Sequence, residues 1–119
     1  PARTQHTDSR DDGLTLRIDY GQTSVVVTGC ITSNGEKEIV SSGAAAACDA
    51  LIVSRGGTEA ATCAEWVEAA KPKVALITGK NPANSVRIRL QKYGATVYAA
   101  KENGVMTLFS DGQKITVEP

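Results

Sequence analysis

Three cysteines and one histidine are the side chains in this sequence best suited to metal or nucleophilic chemistry, and their spacing argues against both. Cys30, Cys48 and Cys63 form no C-x-x-C pair. Three thiols alone cannot build a four-ligand zinc site, and an odd number argues against a disulfide framework. His6 is the only histidine, and it lies in the polar stretch "PARTQHTDSRDD". Hydrolytic zinc centres usually draw on several histidines, so the count argues against a self-contained zinc hydrolase. A nucleophilic cysteine needs a neighbouring base or a helix N-terminus. His6 is the one candidate base, and nothing in the sequence brings it to a thiol. Cys48 and Cys63 sit among alanines and read as core residues.

A second group of residues suits anion binding. The turn "SRGGT" follows an apolar run and precedes a helical pattern, and such a turn offers backbone N–H groups to an anion. Arg55 on that turn, with Lys80 and Asn81 on a later loop, could line one pocket and contact phosphate. The plainer reading is that Gly56 and Gly57 satisfy turn geometry and Arg55 is solvated. Arg87, Arg89 and Lys92 share a helical segment. Arg87 and Arg89 are two residues apart, so they do not form a stripe. Trp66 at mid-helix reads as a core or interface anchor.

The elements that must hold these residues follow from periodicity. Residues 1–12 lack periodicity and are expected to be a flexible N-terminal arm, followed by one domain over 13–119. "GLTLRIDY" alternates like a half-buried strand, and "GQ" joins it to "TSVVVTG" as a hairpin. The continuous Val25, Val26 and Val27 suggest burial on both faces. Ser33 or Asn34 caps a short helix with Glu36 in its first turn. "DALIVS" is a buried strand, Thr58 is expected to cap a helix that Pro72 ends, and "KVALITG" is a further buried strand. Pro82 opens a helix from about 83 to 93, stopped by Gly94. "ATVYAA", "GVMTLFS" and "KITVE" read as strands with turns at "ENG" and "DGQ". The order is β-β-α-β-α-β-α-β-β-β. It implies an α/β fold with a mixed sheet and helices mainly on one face. The doubly apolar strands need a cover on the other face that 119 residues scarcely supply.

Composition sets the outer limits. The chain is 41% hydrophobic and 22% charged, which is globular. Thirteen basic and thirteen acidic residues cancel, so no global field favours a polyanion or a membrane surface. No apolar run approaches the roughly 20 residues of a membrane span, and no signal-peptide pattern is present. The start at Pro1 suggests a processed chain or a fragment.

"DDGLTLRIDYGQTSVVVTGC" resembles "NxxSLVLRLxYGxxSFLLTGD" of metallo-β-lactamase-fold domains, nearest to the C-terminal domain of ComEC-type competence proteins. "LIVSRGGT" stands where that family has "V-x-HHGS". "EWVEAAKPKVALITG" matches its helix ending in "KP" and the strand after it, and "NPANSVRIRLQKYGATVYAAKENGVMTLFSDG" takes the place of its "HPS" helix start and following strands. The resemblance covers about residues 11–117 and only the second half of that fold. The first half, with its "HxHxDH" loop, has no counterpart here.

The resemblance implies half of an αββα sandwich, and three departures at metal-ligand positions. The Asp of "TGD" is Cys30, the histidine pair of "HHGS" is Arg55 and Gly56, and the His of "HPS" is Asn81. Active members use zinc or manganese, and no cofactor is expected here. The implied role is a degenerate, non-catalytic domain of a DNA-uptake protein in the bacterial cell envelope, structural or weakly contacting DNA. Its expected partners are DNA, the parent membrane channel or the missing first half, or a second copy in a homo-oligomer. One alternative is a metal-dependent phosphodiesterase acting on the non-transported strand, completed by that first half as a depleted single-metal site, with Cys30 in place of the lost carboxylate. The other is a partner-binding module that docks through its open sheet face.

Overall fold

The computed structural model describes residues 14–118, so the arm expected over 1–12 lies outside the described residues. Strands β1 (Thr15–Tyr20), β2 (Thr23–Thr28), β3 (Ala50–Ile52), β4 (Val74–Ile77) and β5 (Thr96–Ala99) form one sheet in chain order. The β1–β2 hairpin is antiparallel, with Ile18 opposite Val25, and the other pairings are parallel. Helices α1 (Ser33–Ser41), α2 (Ala64–Ala70) and α3 (Asn84–Lys92) are the crossover elements between the parallel strands. A single helical turn, α4 (Ala100–Asn103), stands where a simple turn at "ENG" is expected. Strands β6 (Thr107–Ser110) and β7 (Ile115–Glu118) pair only with each other, as a separate two-stranded sheet. The α/β class and the mixed sheet expected from the sequence are therefore what the chain forms.

All three crossover helices pack on one face. Val26, Leu51, Val53, Ala75 and Ile77 point from the sheet into a core completed by Trp66 and Val67 of α2 and Val86 and Leu90 of α3. Ile39 and Val40 of α1 pack against the same core. Cys48 belongs to that core and Cys63 borders it, as their alanine-rich surroundings suggest. Trp66 is 1% exposed, so it is a core anchor.

Two expectations need correction. The first concerns β1, read as half-buried through Leu14, Leu16, Ile18 and Tyr20. These four are exposed, Tyr20 by 61%, because they point away from the helices. The side facing the helices instead carries Arg17, whose guanidinium donates to the carbonyls of Ala45 and Ala47. The second concerns α2, which starts at Ala64 and not after Thr58. Thr62 takes a left-handed backbone (φ 61), which breaks any helix running through it. Residues 58–63 form a strap held by other elements, and Lys71 in the left-handed region ends the helix just before Pro72.

The β6–β7 hairpin is fastened by its tip. The N–H of Gln22 donates to Gly112 O, and Thr23 Oγ1 lies 2.6 Å from Ser110 Oγ. A Cβ at Gly21, where φ is +60, would lie 2.4 Å from Gly112 O. Gly21→Ala is therefore expected to cost about 2 kcal/mol, from left-handed strain plus the displaced hairpin. Urea unfolding measures it, and an unchanged midpoint would mean that the two tips do not touch in solution.

Candidate functional loops

The loops after β2, β3 and β4 leave the same, carboxyl-terminal end of the sheet, the usual place for a site in such folds. They meet backbone to backbone. After β3 comes the tight turn Ser54–Gly57, in which Arg55 (φ 53) and Gly56 (φ 63) are left-handed. The Arg55 N–H donates to Gly29 O, and Ser54 Oγ donates to Ile31 O at 2.6 Å, which ties this turn to the loop after β2. On its other side Gly56 lies against Gly79. A Cβ on Gly56 would be 2.8 Å from Gly79 Cα, and one on Gly79 would be 2.3 Å from Gly56 O. The Ala83 N–H donates to Gly57 O at 2.9 Å and fixes the entry to α3.

The residues singled out by sequence therefore share one end of the molecule. Cys30 is exposed just beyond β2, and Lys80 and Asn81 are exposed on the loop after β4. Arg55 is half-buried, and its Nε is buried without a hydrogen-bond partner among the described residues. That is the electrostatic feature of this end, a guanidinium with donor capacity to spare. Among the described residues no three of His, Cys, Asp and Glu stand close enough to hold a metal ion.

The two arginines of α3 are engaged elsewhere. Arg87 pairs with Glu102, and Arg89 Nη1 donates to Thr62 O at 2.7 Å, so the two point apart as their spacing suggests. A cavity of about 420 Å³ lies beside the start of α3, lined by Pro82, Ala83, Asn84, Arg87, Lys101 and Glu102. The Arg87–Glu102 pair neutralises much of its wall.

The cysteines differ sharply. Burial pushes the thiols of Cys48 and Cys63 up to about 11, so both are protonated at neutral pH and unsuited to nucleophilic chemistry. An alkylating reagent at pH 8 is therefore expected to modify Cys30 first and Cys48 last. Mass-mapped labelling checks this, and early modification of Cys48 would show that the core opens readily.

One polar cluster escapes sequence reading. Glu36 sits in the first turn of α1, where an exposed acid is expected, yet it is fully buried. Its carboxylate accepts the N–H groups of Thr62 (2.7 Å) and Cys63 (2.9 Å), and Arg89 holds the Thr62 carbonyl from the other side. This cluster clamps the strap between the Ser54–Gly57 turn and α2. A glutamate one turn from a cap has a surface explanation, and left-handed Thr62 has no sequence signature at all.

Comparison with known proteins gives a distant likeness. No protein-family profile matches the chain, and no solved structure matches it. ComE operon protein 3 of Bacillus subtilis (strain 168) is 27% identical over 112 residues, covering 89% of this chain. The chain spans only 14% of that relative's length.

Proposed function

We propose that this chain is a non-catalytic half of a metallo-β-lactamase-type sandwich within a DNA-uptake protein of the cell envelope, serving as a structural element that touches DNA weakly. The observation that carries the reading is the loop end itself. Three loops converge as they do around an active centre, but the positions that hold ligands in the resembling family are Cys30, Gly56 and Asn81. The similarity to a ComE operon protein supports the competence connection. No described helix is long and apolar enough to cross a membrane.

The residues present do not fit a metal. Gly56 offers no side-chain donor, and its backbone packs directly on Gly79, so the space of a ligand side chain is filled. Two-metal hydrolysis of phosphodiesters needs carboxylate and imidazole ligands that this loop end lacks. What remains is Arg55, with Lys80 and Asn81 on the adjoining loop, as donors to phosphate oxygens.

Two titrations test the proposal. Calorimetry of zinc and manganese against the reduced chain is expected to show no binding at micromolar metal. Tight binding that vanishes in Cys30→Ser would instead favour the phosphodiesterase alternative. Fluorescence anisotropy with single-stranded DNA at low salt is expected to show weak, salt-sensitive binding. Arg55→Ala should weaken it severalfold and lower the salt slope by about one-half to one unit. Binding indifferent to both salt and Arg55→Ala would remove DNA contact from the proposal and leave the structural role.

A further inference from the structure

We infer that the outer edge of β1 is a homodimer interface, at which two copies of this chain pair their β1 strands antiparallel about Ile18 and join their sheets edge to edge. The inference names a surface, a symmetry and a register, and it is independent of the metal and DNA assignments above.

The two end strands of the sheet differ. β5 has four residues, whereas β1 has six, pairs with β2 without a bulge, and carries neither Pro nor Lys. Among the described residues β1 pairs with β2 alone. A long, regular edge of this kind is a template for further pairing. The direction of its backbone groups follows from the turn. Tyr20 and Thr23 flank the two-residue loop of Gly21 and Gln22, so they are the hydrogen-bonded pair that closes the hairpin. Backbone direction alternates along a strand, so Leu16 and Ile18 also bond to β2. Arg17 and Asp19 turn their N–H and C=O groups to the outer edge.

Charges on an edge strand ordinarily discourage pairing. On β1 they are self-complementary. The run Leu16, Arg17, Ile18, Asp19, Tyr20 matches its own reverse in charge and polarity. With Ile18 opposite Ile18 of a second copy, each Arg17 lies opposite the other copy's Asp19, and each Leu16 opposite Tyr20. Opposite side chains in an antiparallel pair share a face, with Cβ atoms about 4.5–5.5 Å apart. Arg17 and Asp19 are 3.1 Å apart within one strand, and the Asp19 side chain is 60% exposed. The dimer therefore sets four charges of alternating sign side by side. On the other face Leu16, Ile18 and Tyr20, which are 46%, 54% and 61% exposed, gain apolar cross-strand neighbours. In this same register the outward backbone groups of Arg17 and Asp19 exchange hydrogen bonds, so backbone and side chains select one pairing. Neighbouring registers fail. Centring the pair on Arg17 or on Asp19 sets like charges opposite each other. A slip of one residue sets a charged side chain against Ile18.

Pairing of one short strand buries less than the roughly 1,200 Å² of a standard interface, so the dimer is expected to be weak and concentration-dependent. Sedimentation velocity of the 119-residue chain, from micromolar to millimolar concentration, measures it. Asp19→Arg sets arginine opposite arginine and is expected to weaken the dimer about tenfold. Its exposed position keeps the fold intact. Ile18→Cys in a Cys30→Ser background should give a disulfide-linked dimer with oxidised glutathione, because the two-fold axis passes between the two side chains. Tyr20→Cys in the same background should not. Hydrogen exchange on the unmutated chain gives a readout that needs no variant. The Arg17 and Asp19 amides should slow as concentration rises, while the Ile18 amide, already bonded to β2, should change little. A chain that stays monomeric at millimolar concentration would overturn the inference. A dimer unaffected by Asp19→Arg would do the same and assign association to another surface. Protection of the Arg17 and Asp19 amides that does not vary with concentration would give the edge to another segment of the same chain, and the inference would fall with it.

Discussion

Glu36→Ala should lower the unfolding free energy by about 2–4 kcal/mol, a large share of the 5–15 kcal/mol that holds a domain together. The substitution leaves the N–H groups of Thr62 and Cys63 buried without acceptors and opens a void beneath α1. Glu36→Gln keeps the volume but places an NH₂ group against one of the two N–H donors, so it should cost about 1–3 kcal/mol. The conservative variant matters because of pH. Burial raises the Glu36 carboxyl above its ordinary 4.5, and the N–H groups of Cys63 and Thr62 together with Arg89 offset this only in part. The folded state therefore holds this proton more tightly than the unfolded state. The associated stability is fully present below pH 4.5 and is lost as pH rises through the raised value. Glu65 and Asp111 work in the opposite direction. Backbone hydrogen bonds lower both groups, so their contribution is lost as pH falls through the lowered values. Subtracting the Glu36→Gln stability profile from the wild-type profile isolates the first effect. The difference should shrink as pH rises past 4.5, and a flat difference would show that Glu36 has the same pKa in both states.

How much of this could be read from the residues depends on the range of the interaction. Strand and helix order follow from local periodicity, and each main element lies close to its pattern, as with α3 between Pro82 and Gly94. The turns "GQ" and "DGQ" are equally local, although their docking against each other is not. The misplaced start of α2 has a non-local cause. Thr58 is a competent cap, but Glu36 and Arg89, distant in sequence, hold the backbone of Thr62 and Cys63 in a strap instead. On β1 the alternation was legible and its direction was not. Period two fixes that Leu16 and Ile18 share a face, while which face is buried depends on where the helices and any partner lie. The candidate site divides in the same way. The sequence places Cys30, Arg55, Lys80 and Asn81 on loops at one end of a sheet. It is silent on the glycine contact that joins those loops.

That contact supports the other large effect. Gly79→Ala is expected to cost about 3 kcal/mol or more, beyond the usual range for a loop substitution. A Cβ there would sit 2.3 Å from Gly56 O and 2.9 Å from Gly56 Cα, both backbone atoms that no rotamer change can move. Gly56 itself has little room to retreat. Its turn is tied to Gly29 through the Arg55 N–H, and to α3 through Gly57 O and the Ala83 N–H. The strain should therefore pass to the ends of β3 and β4 and to the start of α3. Gly56→His, which puts back the residue type that the resembling family carries, meets the same wall. Its Cβ would lie 2.8 Å from Gly79 Cα, on a backbone at φ +63 that disfavours any side chain. We expect that variant to be destabilised and to bind zinc no better than wild type. Thermal unfolding with and without zinc decides the matter. A Gly56→His protein that folds normally and is stabilised by the metal would show that the loops can part. The loop end would then be a closed but recoverable centre, and the non-catalytic assignment would fall with it.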